Sequence, residues 1–167
     1  MSSSATSGPD VFHDLVAHLD YPMVVVTATS GGERSGCLVG FATQCSIDPP
    51  RYLVFVSKEN HTHGIALASS VLAVHVLDER DRRTAEIFGE LTGDAVDKLS
   101  LVPWTEGPGG LPVLDDTAGW FAGRVLERFD GGDHTGFLLE PFAGEKRRAI
   151  TQLGFQDVKG LDPGHAP

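Results

Sequence analysis

Three short stretches of this sequence carry side chains able to hold or orient a ligand. The first is Lys58-Glu59-Asn60-His61-Thr62, where a strand pattern gives way to a helical one. A helix start offers unpaired backbone N–H groups and the positive end of its dipole, and Lys58, Asn60 and Thr62 can add donors, so the corner suits a phosphate. The commoner use of such residues is to cap an ordinary surface helix. His61 and His63 also place two imidazoles two residues apart. Zinc needs three or four ligands, and none follows at a familiar spacing, so no metal site is expected.

The second stretch is GCLVGFATQCSIDPP, residues 36–50, with small side chains at Gly40, Ala42, Cys45 and Ser46. Small residues let a flat ring approach the backbone, whose N–H and C=O groups can read its polar edge. Close packing of a bent strand would use the same residues. The third is Gly131-Gly132-Asp133-His134-Thr135, a turn that delivers an imidazole at the start of a strand. An imidazole there can orient a substrate amide or donate a proton, although a surface histidine without a role is the more frequent case. His75, in VLAVHVL, shares a strand face with Val71, Ala73 and Leu77 and reads as a hydrogen-bonded, partly buried structural histidine.

These residues must be positioned by mostly extended elements. Val11, Phe12, Leu15, Val16 and Leu19 have helical spacing, with Ser7 or Asp10 able to cap the start. Met23–Thr29, Cys37–Ser46 and Tyr52–Ser57 then read as a meander of three strands separated by Gly31-Gly32 and Asp48-Pro49-Pro50. A short helix over 62–69, a strand over 71–77 and a helix over 81–88 capped by Asp81 follow. After a Pro/Gly-rich excursion over 103–112 come strands 119–129 and 134–140, with 148–152 a weaker edge strand. About six strands with few helices cannot supply the crossovers of a parallel sheet, so the expected fold is mainly β, an antiparallel barrel with a few peripheral helices. Residues 1–9 read as a disordered N-terminus, 10–155 as the domain and 156–167 as a loose C-terminal tail.

Composition sets further bounds. The 167 residues suit one domain, and a formal charge of -10 makes nucleic acid an unfavourable partner. Twenty Gly and ten Pro disfavour an all-helical fold. The stretch holding Cys37 and Cys45 reads as one strand or a strand pair; on one straight strand they would lie about 26 Å apart and could pair only if the chain reversed between them, and two Cys are no disulfide framework, so both thiols read as reduced. No signal peptide or membrane-length apolar run is visible, and the expected location is cytoplasmic. There is no G-x-G-x-x-G or P-loop, so a nucleotide-like cofactor would need another cradle.

Taken in order, Tyr21-Pro22-Met23-Val24-Val25-Val26-Thr27, GCLVGFATQCSIDPP, Ser57-Lys58-Glu59-Asn60-His61-Thr62, VLAVHVL, Phe88-Gly89, Gly110-Leu111-Pro112-Val113-Leu114-Asp115 and Gly132-Asp133-His134-Thr135 resemble the flavin reductase-like family of FMN-binding split barrels over residues 12–143. The resemblance implies a homodimer with flavin at its interface. Thr43, Gln44, Cys45 and Ser46 would line the isoalloxazine through backbone groups, and Lys58, Asn60, His61 and Thr62 would surround the ribityl phosphate. His134 matches the family's Gly-Asp-His histidine, beside the nicotinamide, and is the catalytic candidate.

The implied activity is NAD(P)H:flavin oxidoreduction, with FMN or FAD receiving hydride from NADH or NADPH. Such reductases often serve a separate monooxygenase. The alternatives are a flavin- or haem-binding module without turnover and a deazaflavin-dependent reductase.

Overall fold

A computed structural model describes residues 6–90 and 97–161. They form α1 (Gly8–Val16), β1 (Val24–Ser30), β2 (Glu33–Val39), β3 (Ala42–Ser46), β4 (Arg51–Ser57), α2 (His61–Ala68), β5 (Val71–Val76), α3 (Arg82–Glu90), β6 (Trp104–Glu106), β7 (Pro112–Leu114), β8 (Gly119–Asp130), β9 (His134–Lys146) and α4 (Phe155–Val158). Seven strands make one antiparallel sheet in the order β2-β1-β5-β8-β9-β4-β3, and β6 pairs separately with β7. β2 and β3 stand at opposite ends of that order yet are joined by Gly40 and Phe41 alone. The sheet must therefore curl so that the end of β2 returns beside the start of β3, without a ladder between them, and the Phe55 N–H donates to the Phe41 carbonyl at 2.9 Å beside the join. This is the expected split barrel.

The burial of β1 follows from two packed layers. Val24, Val26 and Ala28 face a barrel interior with Cys37, Val54, Val56, Leu72, Val74, Phe137 and Leu139, which Ile65 and Ala66 of α2 help to fill. Val25, on the other face, packs with Leu77, Ala85, Phe88, Leu114, Leu153 and Val158. A strand covered on both sides reads as a continuous apolar run rather than an alternation. At the β1–β2 turn Gly31 and Gly32 both have positive φ (57° and 81°), the conformation a tight hairpin requires.

His75 is hydrogen-bonded as expected but buried completely rather than in part, and its tautomer is fixed by the backbone. The Leu114 N–H donates to Nε2 at 3.0 Å, so Nε2 is the bare nitrogen and Nδ1 carries the proton it donates to the Val25 carbonyl at 3.0 Å. Burial pushes the imidazole down to about 4, helped by the nearby positive charge of Arg147, even though the Val25 bond opposes the shift. A neutral histidine thus staples β5 to β1 and β7.

Several expected elements are redrawn. Of the two readings of 37–46, one strand or a strand pair, the structure has two strands, and the three-strand meander is two hairpins at opposite ends of the sheet. The 103–112 excursion contains β6 and the lead into β7, so nine strands are described instead of about six. Of the two caps considered for α1, Ser7 is the one used, and Gly8 and Pro9 lie inside that helix. The turn before α3 is capped by Asp78, not Asp81, and Asp81 returns a bond to the Asp78 N–H. Residues 148–152 are not a regular strand: Gln152 makes a single bridge to Asp78, and Arg148 bonds both Asp78 (2.8 and 3.1 Å) and Asp81 (2.8 Å).

The expected loose tail is ordered as far as Leu161. Met23 N–H donates to Leu153 C=O, Leu153 N–H to Leu77 C=O and Phe155 N–H to Tyr21 C=O, which straps 153–155 along the barrel before α4. The remaining residues of that tail, 162–167, and residues 1–5 lie outside the described residues. Cys37 is buried, Cys45 exposed, and both are free thiols. No helix among the described residues is long and apolar enough to cross a membrane.

Candidate active-site cleft

The join between β2 and β3 opens into a cleft of about 420 Å³. Leu38–Phe41 form its floor, Ser57, Asn60 and His134 one side, and Phe155, Val158, Lys159 and Leu161 another. Gly40 allows this floor to exist: a Cβ there would stand 2.7 Å from the Tyr21 ring. The volume and largely apolar walls suit a planar ring ligand.

Four rings run through the cleft. His134 lies 4.9 Å from Phe41, Phe41 6.1 Å from Tyr21, and Tyr21 is stacked at 4.8 Å on Phe155. His134 begins β9 and is placed opposite Ser57 by the β4–β9 ladder. Its Nδ1 meets the Asp133 carboxylate at 2.7 Å, so Nδ1–H is the donor and Nε2 is the nitrogen left for a ligand. The hydrogen bond from His134 holds the Asp133 carboxyl below the usual carboxylate range.

The β4–α2 corner sits beside this row, and much of its donor capacity is used internally. Lys58 pairs with Asp130 at 2.9 Å, which holds that carboxyl low, and the Lys58 N–H donates to the Asp133 carbonyl. Asn60 caps α2 by accepting the Thr62 N–H at 2.9 Å. The Thr62 side chain is buried against Ser35, 2.7 Å away, so of the four corner residues it is the one whose hydroxyl faces the protein core. His61 is exposed at the first turn of α2. His63 points back to the Thr135 hydroxyl at 2.7 Å, and burial, then Lys58, pushes its imidazole down. Among the described residues no group of three or more His, Cys, Asp or Glu could hold a metal ion.

The structure brings Asn60 and His134 into the cleft, with Lys58, His61 and Thr62 behind or beside them. It does not bring Thr43, Gln44, Cys45 and Ser46 there: these lie on β3, the last strand of the sheet, with Thr43, Gln44 and Cys45 exposed. β3 pairs with β4 on one side, and its other edge is outermost. Sequence reading missed Tyr21, Phe41, Phe155 and Lys159 as cleft residues. The signal for the last two was the spacing of Phe155, Val158 and Leu161, three residues apart in each step, running from the last residue of the expected domain into the segment read as loose.

Two groups lining or bordering the cleft are chemically quiet. Burial pushes the Cys37 thiol up to about 11, so it remains protonated and packs as a small apolar group. Burial, with Asp20 second, also pushes the Tyr21 phenol up.

Comparison with known proteins gives the same picture. Residues 16–158 match the family described as Flavin reductase like domain. The chain is 28% identical over 134 residues to the stachydrine N-demethylase reductase subunit of Rhizobium meliloti, covering 78% of this chain and 56% of that one. It is 29% identical over 132 residues to the 4-hydroxyphenylacetate 3-monooxygenase reductase component of Pseudomonas aeruginosa, covering 77% and 76%. The Streptomyces globisporus NADH:FAD oxidoreductase has the same fold, with a TM-score of 0.80 at 24% identity over 92% of each chain. The chain spans about half the length of two curated Rhizobium meliloti relatives, 42% and 56%. With a match that runs from the end of α1 to the end of α4 and so takes in every strand of the barrel, the chain belongs to the flavin reductase like domain family.

Proposed function

We propose that this protein is an NAD(P)H:flavin oxidoreductase. The observation that carries the reading is the apolar cleft with His134 set over Phe41 and oriented by Asp133, in a chain of this family. Bound flavin and a nicotinamide dinucleotide supply the hydride acceptor and donor, so no protein nucleophile is required. The protein's task is to position two flat rings and exclude water. His134 orients the nicotinamide through Nε2, and Asp133 fixes its tautomer. Phe41 and Tyr21 supply ring faces.

The relatives favour both FMN and FAD as ligands, being named an NADH-dependent FAD reductase and an NADH:riboflavin 5'-phosphate oxidoreductase. Lys58, Asn60, His61 and Thr62 remain our proposal for the flavin phosphate. In it the Thr62 contribution is its place in the first turn of α2, and Lys58 exchanges its surface pair with Asp130 for the ligand. Thr43, Gln44, Cys45 and Ser46 would take part through the outer edge of β3.

That edge and α1 support a homodimer. α1 buries none of its residues, Val11, Phe12 and Leu15 are 43–62% exposed on this amphipathic helix, and Leu19 just beyond it is 57% exposed. A nine-residue helix is marginal in water without a packed face. Ile47 and Phe41 are also exposed, 83% and 52%, beside β3. A second copy is the partner we propose for these surfaces, and a monooxygenase, as the relatives' names suggest, for the reduced flavin. A cytoplasmic location fits this chemistry.

The direct test is the visible spectrum under nitrogen with FMN and then NADH. Bleaching at a catalytic rate is expected. FMN retained without bleaching would favour a binding module, and a Soret band or a preference for deazaflavin would replace the proposed ligand.

A further inference from the structure

The cleft carries one cation that the reading above leaves without a task. Lys159 is the one Lys or Arg among its described lining residues, and its ammonium has no carboxylate within ion-pair distance among the described residues. It caps the C-terminus of α4 in a right-handed helical conformation, four residues after Phe155. Residues four apart share a helix face, so Lys159 continues the line of rings His134, Phe41, Tyr21 and Phe155 beyond its far end.

The segment is anchored well enough to place it. Phe155 is stacked on Tyr21, Val158 is buried, and Gln156 donates to the Ala17 and Leu19 carbonyls at 3.1 and 2.8 Å. Asp157 accepts the Gly154 N–H at 3.0 Å, and Arg82 donates to the Asp157 carbonyl at 2.9 Å.

A chain of formal charge -10 repels anionic nucleotides. A cleft that admits one therefore needs a local cation, and the rest of this lining is apolar or neutral apart from His134. We propose that Lys159 is the phosphate contact of the nucleotide ligand that fills the cleft, engaging the end remote from His134. The inference rests on the nucleotide reading above. Two sources carry the same chemistry: the pyrophosphate of the nicotinamide dinucleotide and the phosphate of the flavin.

The test uses the full chain as wild type, Lys159→Gln and Lys159→Arg, with binding titrations of ADP-ribose, FMN and riboflavin. Lys159→Gln should weaken ADP-ribose about tenfold, as expected for loss of a charge-assisted contact. Lys159→Arg should stay within about twofold of wild type, riboflavin should not change, and the melting temperature should be unaltered because the side chain is exposed. Weakening of FMN relative to riboflavin, with ADP-ribose unchanged, would assign the contact to the flavin phosphate. Equal binding of all ligands by wild type and Lys159→Gln would overturn it, as would failure of wild type to bind any phosphate. Wild type that binds ADP-ribose through Lys159 but never bleaches flavin with NADH would keep the contact and remove the reductase reading.

Discussion

The ring of His134 lies 4.9 Å from that of Phe41, although 93 positions separate them in the chain. Phe41 comes from the join between β2 and β3, and His134 is the first residue of β9. Phe41 is half exposed and His134 partly so, and both line the cleft, so the pair is a surface a ligand can reach.

Removal of His134 should separate chemistry from binding. His134→Ala is expected to lower turnover on the order of 100-fold while leaving flavin affinity nearly unchanged, because a nicotinamide displaced by about 1 Å loses that much rate. Asp133→Asn should cost less, about tenfold, through a freed ring orientation. Stopped-flow reduction with a parallel flavin titration checks both; equal rates for His134→Ala and parent would remove the histidine from the mechanism.

Phe41 should matter to ligand and not to fold. It is half exposed, so Phe41→Ala is expected to change stability by less than about 1 kcal/mol. Loss of one ring contact should weaken flavin or nicotinamide binding about three- to tenfold. Fluorescence titration and thermal melts measure the two effects separately.

His75 makes stability depend on pH in a defined window. Its folded pKa of about 4 lies below the ordinary 6.5, so the unfolded chain binds the extra proton between those values. The stability contributed by the neutral imidazole is complete above about pH 6.5 and is lost as pH falls toward 4, with a slope on the order of 1 kcal/mol per pH unit. His75→Leu should flatten that slope. It should also cost about 2–4 kcal/mol at pH 7, since the Leu114 N–H and Val25 carbonyl lose their partner. Urea titrations at several pH values provide the measurement.

Arg148 neutralises two buried carboxylates. Its hydrogen bonds hold the Asp78 carboxyl below the ordinary 3.8, and the carboxylates in turn push the guanidinium up. That stability is present above pH 3.8 and disappears as pH falls through the folded value. Arg148→Ala should destabilise by about 3–5 kcal/mol at neutral pH, the usual cost of leaving buried charge unpaired, and by less in acid. A melt series from pH 3 to pH 7 tests the convergence.

The apolar face of α1 should set the oligomeric state. Leu15→Glu is expected to convert a dimer to a monomer without lowering the melting temperature of the isolated barrel, as Leu15 touches no core in one chain. Light scattering decides it, and an unchanged dimer would move the interface elsewhere.

The strands and helices were legible in the sequence because β-branched runs and Gly-Gly turns report local structure. His75 was legible too, since an imidazole alternating with Val and Ala on one strand face has to be buried. What the sequence concealed was long-range. That 37–46 breaks at Gly40 depends on Tyr21 occupying the space of a Cβ, and that Thr62 turns inward depends on Ser35. Lys159 looked like tail, and Phe155 like the end of the domain, because a four-residue helix has too little periodicity to stand out, and tertiary hydrogen bonds to residues 21–23 hold it in place. The roles of Thr43–Ser46 were implied by the family's order of motifs, and no local pattern locates them.

The ladder that sets His134 opposite Ser57 also governs when the molecule can fold. β4 finds its partner β9 about 80 residues later, and β3 is tied to β4, so closure of the ring waits for the second half of the chain. Contacts of such large sequence separation are slow to form, because loop-closure entropy precedes their reward. During synthesis the amino-terminal hairpin can assemble early, but a nascent chain that ends before His134 has no cleft at all. Competence to bind ligand therefore arises late, once β9 has paired with β4.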